Sequence, residues 1–440
     1  MRCIPVLLLV ACTSGAEPEP LRPLPADEQP VGEAQPMDAA TLRARALEAY
    51  QQGDMERFVS LQEQALQADP GSTITRYNLA CGYARTGRRD RALAELRTLL
   101  EAGVDYGAAL DSDFASLTAD PEFQQIVLEL ANLHPVVHHA QKVARISDRM
   151  DLAPEGIAVD PSSGRTYVSS MRTGTIWASD DPTTTDARPL ATLTVDGVPV
   201  SAFGMELDRQ RGVLWAVASA FSLHQSYQPS HQGRTAVIGL DPATGQVIKT
   251  HQPIEGPPAG FNDVAIGADG ALYLTGGDLF VVAPGESLAV PLGLNPPLQS
   301  SNGITTSDDP SVIYVAANRS GIARVDLDDK TWAWVEAPAG LDLRNVDGLD
   351  FHEGSLLAVQ LGMSRWRAMR LDLDDSGGSI AGHEILEQGH PEIAFATTAT
   401  VVGDRLQFVA RAPLESGTDR ASAGPADGAT EIWSVPLDPE

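Results

Sequence analysis

Five dipeptides stand at matching places in this 440-residue chain: Glu155-Gly156, Phe203-Gly204, Asn262-Asp263, Asn302-Gly303 and Asp347-Gly348. Each is followed by a short apolar run, and four of the five lead with an oxygen-bearing side chain. Two carboxylates and two amide carbonyls form a hard, oxygen-only donor set, which suits calcium, magnesium or manganese better than a thiolate-loving metal. Glu155, Asn262, Asn302 and Asp347 are therefore candidate ligands of one divalent cation. Asn-Gly and Asp-Gly are also ordinary turn dipeptides. Turn chemistry accounts for Asn302-Gly303, but not for Glu155, a poor turn former, at the matching place. The glycine after three of the four is expected to let the backbone turn sharply into the next strand. Asn318 is an amide outside this constellation.

For such residues to meet, repeated elements must carry them to one axis. After Pro135 the apolar pattern alternates, and pairs of strand runs recur, bounded by Gly, Asp and Pro. They are 157–159 with 166–169, 205–207 with 213–216, 264–266 with 271–274, 304–306 with 312–316, 349–351 with 355–359, and 399–402 with 406–410. Six units of strand, Asp/Gly turn and strand are the signature of propeller blades. A sandwich with an insertion does not explain a turn signal that returns at blade spacing. The fold expected over residues 136–440 is an all-β six-bladed β-propeller, with each dipeptide just before the first strand of its unit and all of them at one end of the channel.

Residues 38–132 instead carry apolar positions at helical spacing. A shift of 34 residues carries Ala46 onto Ala80 and Gly53 onto Gly87, which is the tetratricopeptide period. Tyr77 to Ala84 and Arg91 to Leu96 resemble the two helices of such a repeat, and Asp113 to Phe123 resembles a closing segment. An N-terminal α-helical tetratricopeptide-like domain is expected, with a concave face suited to a protein or peptide partner. Cys81 falls on its packed face as a small buried residue.

Arg2, the apolar run Ile4 to Ala11 and Leu9-Val10-Ala11-Cys12 look like a lipoprotein signal peptide over residues 1–11, with Cys12 as the lipidated residue. An ordinary signal peptide cleaved nearby is the other reading. Multiple acyl chains on Cys12 would anchor the protein to a membrane without spanning it. Thr13 in place of Asp favours the outer membrane within the cell envelope. Residues 12–37, rich in Pro, Glu and Ala, form a tether that cannot bury enough apolar surface to fold. A net charge of -28, with Lys142, Lys249 and Lys330 as the only lysines, excludes nucleic acid as a partner.

The region from about 140 to 438 resembles the senescence marker protein / gluconolactonase family, also called regucalcins. The resemblance rests on Pro154-Glu155-Gly156, Phe261-Asn262-Asp263, Ser301-Asn302-Gly303 and Val346-Asp347-Gly348, in that order. It implies one divalent cation, calcium first, with manganese, magnesium or zinc as alternatives. It also implies a lactonase in which metal-activated water attacks the lactone carbonyl, Asp347 is the catalytic base and Asn262 contacts substrate. Two positions depart from the family. Gly260 stands where sugar lactonases carry an arginine, and Phe203 stands where related paraoxonase lactonases carry a histidine. A substrate less polar than an aldonolactone is therefore expected, with Arg172 or Arg365 as the nearest replacement guanidinium and His224 and His231 as lesser candidates in the 219–233 insertion. The strictosidine-synthase-like propellers share the fold without the metal set, so fold alone does not fix activity. The expected function is an envelope-anchored metal-dependent hydrolase of a lactone or ester. The alternative is a non-enzymatic scaffold lipoprotein.

Overall fold

The computed structural model describes residues 38–147, 152–180, 187–254, 260–318, 320–362, 365–390, 392–393, 395–411 and 430–439. The signal peptide, Cys12 and the tether expected before residue 38 lie outside the described residues. The described residues fall into two compact units, one ending at Leu133 and the other beginning at His134.

The first unit is helical: α1 (Ala39–Gln51), α2 (Met55–Ala68), α3 (Thr73–Arg85), α4 (Arg89–Glu101) and α5 (Pro121–Leu133). Asp38, Asp54 and Ser72 cap α1, α2 and α3 by accepting from the N–H groups of Thr41, Arg57 and Thr75, which have no partner inside the helix. Gly53 and Gly87 take positive φ at the two tight turns, where a side chain would be strained. Ala46, Ala80 and Ala92 are fully buried, so the paired helices approach closely. Cys81 is fully buried as well. The segment before α5 adds buried carboxylates: Asp111 accepts from the Tyr77 hydroxyl at 2.9 Å and Asp113 from the Tyr50 hydroxyl at 2.9 Å. Among the described residues no helix is long and apolar enough to cross a membrane.

The second unit is all-β and propeller-like. Its strands are β1 (Gln141–Ser147), β2 (Pro154–Val159), β3 (Thr166–Ser170), β4 (Thr175–Ser179), β5 (Arg188–Thr192), the small hairpin β6 (Thr194–Val195) and β7 (Val198–Pro199), β8 (Ser201–Asp208), β9 (Val213–Ser219), β10 (Thr235–Leu240), β11 (Val247–Pro253), β12 (Val264–Ile266), β13 (Leu272–Thr275), β14 (Leu279–Val282) and β15 (Leu288–Pro291). They continue as β16 (Ser301–Thr306), β17 (Val312–Ala317), β18 (Gly321–Asp326), β19 (Thr331–Trp334), β20 (Val346–His352), β21 (Ser355–Gln360), β22 (Arg367–Leu373), β23 (Ile380–Gln388), β24 (Phe395–Val402), β25 (Arg405–Arg411) and β26 (Thr430–Pro436). Four sheets have four strands each: β2 to β5, β16 to β19, β20 to β23, and β24 to β26 with β1.

The expectation of six separate units is corrected at one place. Strands β8 to β15 form a single eight-stranded sheet, because the end of β11 pairs in parallel with β15 at Gln252–Leu288 and Pro253–Ala289. The splice lies on outer strands. At the centre, the first strands contact one another in a closed ring, β2 to β8, β12, β16, β20, β24 and back to β2. Ring closure is sealed by β1, which pairs with β26 and so joins the two ends of the unit in one sheet. Adjacent sheets pack face to face over apolar clusters, such as Ile176, Leu193, Ala202, Leu214 and Ile238. Another is formed by Leu356, Met369 and Leu371 with Tyr314 and Ile322. Burial on both faces explains strands that read as nearly continuous apolar runs, such as Val312–Ala317.

Candidate functional site

The candidate residues lie inside their first strands more often than before them. Glu155, Phe203, Asn302 and Asp347 belong to β2, β8, β16 and β20, and only Asn262 precedes its strand, β12. The physical reason is a repeated break in register. Pairing of the first strand with the second shifts between Pro154 and Ile157, Ala202 and Met205, Ser301 and Ile304, Val346 and Gly348, and Ala396 and Ala399. The first four are bulges that contain a site position, and the fifth spans Thr397 and Thr398. A bulge leaves its extra residue unpaired and re-aims its side chain, and bulges collect at barrel rims and active sites. The same irregularity therefore recurs at the start of five strands of the ring.

Just before four of the five dipeptides the backbone is left-handed. Ala153, Gly260, Ser300 and Asn345 all take positive φ, at +43°, +77°, +61° and +60°, and each stands two residues before a candidate ligand. A non-glycine residue in this region costs about 1–2 kcal/mol. Strain of this kind persists where surrounding structure holds it and clusters at functional sites.

The glycines do a different job from the one expected. Gly156, Gly204, Gly303 and Gly348 are not among the positive-φ residues, so they are not turn formers. They permit close approach between neighbours in the ring. A Cβ on Gly156 would lie 2.5 Å from the Phe203 carbonyl oxygen, and one on Gly303 would lie 2.4 Å from that of Asp347. One on Gly348 would lie 2.7 Å from Thr398 Cα. The ring continues through the Gly204 N–H, which donates to the Asn262 carbonyl at 3.0 Å. The Thr275 hydroxyl donates to the Asn302 carbonyl at 2.6 Å, and the Thr397 hydroxyl donates to the Glu155 carbonyl at 2.9 Å. Every candidate position is thus tied to the next one round.

Within this frame Glu155, Asn302 and Asp347 are all buried, and Asn262 is half-buried. The Asn302 amide donates from Nδ2 to the carboxylate of Asp347, and also to Asn318 Oδ1 at 3.2 Å. Asn318, set aside in the sequence, is therefore part of the site. Among the described residues no cluster of three or more His, Cys, Asp or Glu side chains could hold a metal ion. The candidate set has only two carboxylates, and the other donors are amides. Its chemistry fits a hard cation that accepts neutral oxygen ligands.

A second group of carboxylates lines the ring. Asp263 accepts from its own neighbour Val264 N–H at 2.9 Å and from Ile304 N–H in the next first strand at 3.2 Å. Glu206 accepts from Ile266 N–H at 2.9 Å, and Asp350 accepts from Val401 N–H at 2.8 Å. Burial pushes the Asp263 carboxyl up to about 7; the two N–H donors oppose this, and the nearby Asp347 and Asp350 charges add to it. Burial likewise raises Glu206, helped by the charges of Asp350 and Asp263, and raises Asp350. These groups staple one strand to the next. Each oxygen of Asp263 accepts from one backbone donor, which gives this carboxyl a part in holding β12 to β16.

The remaining candidates are placed as follows. Arg365 donates to the His134 carbonyl at 2.8 Å, which turns its guanidinium to the segment before β1 and removes it as a replacement for the missing arginine. Arg172 follows β3, and its backbone carbonyl accepts from Gln225 N–H in the long insertion after β9. His224 is buried, and its Nδ1 accepts from Ser226 N–H at 3.1 Å; burial lowers its pKa. His231 accepts from Gln228 N–H at 3.3 Å. Both histidines close turns of their own loop. Phe203 is buried edge-on against Phe221 of the same insertion, with ring centroids 5.5 Å apart. At Gly260 a Cβ would lie 3.0 Å from Ser219 Cβ and Oγ, so positive φ and crowding both exclude a long side chain there.

The second unit is an all-β, propeller-like fold that brings the side chains of Asn302, Asn318 and Asp347 together, with Glu155 and Asn262 at places equivalent to Asn302 and Asp347. No protein-family model and no curated protein matches the chain. Among solved structures the chain is similar to several proteins at low sequence identity. One is the calcium-binding protein regucalcin from Agrobacterium tumefaciens, at 18% identity over 70% of this chain and 97% of that one, with a TM-score of 0.45. Another is a protein described as a glucose-dehydrogenase oxidoreductase from Thermus thermophilus, at 15% identity over 67% and 99%, with a TM-score of 0.43. A third is a luciferin-regenerating enzyme, at 13% identity over 69% and 95%, with a TM-score of 0.44.

Proposed function

We propose that this chain is a divalent-cation-dependent hydrolase of a lactone or similar ester, with Glu155, Asn302 and Asp347 holding the ion and Asn262 beside it. The observation that carries the reading is the shared geometry of those positions, three on bulges and all four two residues after a left-handed residue. Ala153, Ser300 and Asn345 carry a backbone cost of the kind that clusters at functional sites. The eight-stranded sheet counts as two blades in this reading, which makes six. A bound divalent cation would polarise the scissile carbonyl and lower the pKa of water at the site. Asp347 supplies the carboxylate that accepts a proton, and the half-buried Asn262 orients the ring oxygens of the substrate. Phe203, Phe221 and the side-chain-free position at Gly260 suit a substrate with an apolar body and no acidic arm.

The reading extends to the rest of the chain. Residues 1–11 are the signal peptide, Cys12 carries the lipid, 12–37 are the tether, 38–132 are a tetratricopeptide-like module and 136–440 are the propeller. The site then faces the envelope, with the outer membrane favoured. The scaffold reading draws instead on the paired helices of the first unit, because stacked helix pairs present a partner-binding face. Elemental analysis of the purified protein and a panel of lactones and esters, with and without chelator, separate the two. Absence of both a bound ion and chelator-sensitive turnover would remove the hydrolase and leave the scaffold.

A further inference from the structure

The three first strands that carry Glu155, Asn302 and Asp347 share one more feature. The residue that follows the second strand donates its N–H to the carbonyl of the left-handed residue: Met171 to Ala153 at 3.0 Å, Asn318 to Ser300 at 3.1 Å, and Leu361 to Asn345 at 2.9 Å. Two of these equivalent positions are apolar. Only the third is an amide, and its side chain meets a candidate ligand.

The position of Asn318 is fixed from both sides. Its N–H is held by Ser300, two residues before Asn302, and its carbonyl accepts from the N–H of Asn345, two residues before Asp347. Its Oδ1 accepts from Asn302 Nδ2 at 3.2 Å, beside the contact that Asn302 Nδ2 makes to Asp347. With Nδ2 turned toward these two acceptors, the Asn302 amide presents its oxygen elsewhere. A cation drawing on the Asp347 carboxylate would compete for the oxygen that holds Nδ2. The neutral Asn318 oxygen does not enter that competition.

We propose that Asn318 is a positioning residue, which fixes the Asn302 amide so that its oxygen, not its nitrogen, faces the cation. The inference rests on the cation reading above. Outer-shell partners of metal ligands are worth roughly 10–100-fold in affinity when removed. Leu is the natural probe, since it already occupies the equivalent position at 361.

Calcium and manganese affinities of the full chain are measured by calorimetry for wild type, Asn318→Leu, Asn318→Gln and Gln246→Ala, the last an exposed turn amide between β10 and β11. Wild type should bind, Asn318→Leu should lose about tenfold or more, and Asn318→Gln, which keeps a neutral amide acceptor on a longer arm, should recover part of the loss. Gln246→Ala should be unchanged. The metal-free unfolding midpoint is read on the same samples, so that loss of affinity without loss of fold identifies positioning. If wild type binds and Asn318→Leu binds equally well, the positioning role is overturned and the cation site stands. If wild type itself binds neither ion, both fall together.

Discussion

The backbone carbonyl of Glu155 accepts a hydrogen bond of 2.9 Å from the hydroxyl of Thr397, 242 residues away in the chain. The neighbouring Thr398 hydroxyl donates to the same oxygen. The last first-strand of the ring is thereby bound to the first, beside a bulge at each end. The peptide unit that carries the Glu155 carboxylate is consequently set by residues from the far end of the sequence, and the geometry of the rim depends on closure.

Calcium or manganese should raise the unfolding midpoint of the wild type, because an ion bound only to the native state stabilises it by mass action, about 2.7 kcal/mol at a hundredfold excess over Kd. Asp347→Asn keeps the shape and removes a charge. It should lose most of the metal-induced shift and any hydrolase activity together, as measured by thermal unfolding and by assay on one preparation.

Gly303→Ala tests close approach. Its Cβ would lie 2.4 Å from the Asp347 carbonyl oxygen, a backbone atom that cannot swing aside. The expected cost is about 1–3 kcal/mol, together with a displaced Asp347 and a weakened metal response. Gly71→Ala, where a Cβ meets nothing within 4 Å, should change stability by less than about 0.5 kcal/mol. Equal effects of the two in denaturant titrations would contradict the close-approach account.

The carboxylates inside the ring make a pH prediction. Glu206 has its pKa raised well above the ordinary 4.5 by burial, then by the charges of Asp350 and Asp263. The folded state therefore keeps a proton that the unfolded state has released. Its contribution to stability is fully present below the unfolded value and is lost as pH rises through the folded one. Glu206→Gln retains an oxygen for the Ile266 N–H and cannot ionise. Urea midpoints without metal should be similar for variant and wild type at about pH 4, with the variant more stable at about pH 8.

Cys12→Ser should abolish labelling by radioactive palmitate and leave the protein soluble or uncleaved. Label that persists in the variant would rule out Cys12 as the acylated residue.

Much of this architecture is legible in the chain, for physical reasons that differ by element. The helical unit announces itself through period, and Gly53 and Gly87 occupy equal places in its two hairpins because both turns need positive φ. The β unit shows itself through alternation and Asp/Gly turns. What the sequence hides is register. Glu155-Gly156 reads as a lead-in to a strand, whereas pairing already includes Pro154 and then skips to Ile157. A bulge leaves no compositional mark. The merger of β11 with β15 is hidden for a similar reason, since it depends on where two outer edges come to lie. Asn318 is hidden because its link to Asn302 runs between strands, across 16 residues, with no motif to flag it. A signal was available in the comparison of equivalent positions, where Met171 and Leu361 are apolar and Asn318 is not.

The pairing of β1 with β26 also sets an order of events. Chains are made from the N-terminus, so β1 emerges early and cannot find its partner until almost everything else has been synthesised. A chain stopped before Thr430 would present open edges on β1 and β25, the kind of surface that recruits other strands. The seam therefore acts as a test of length: only a chain read through to β26 covers the facing edges of β1 and β25.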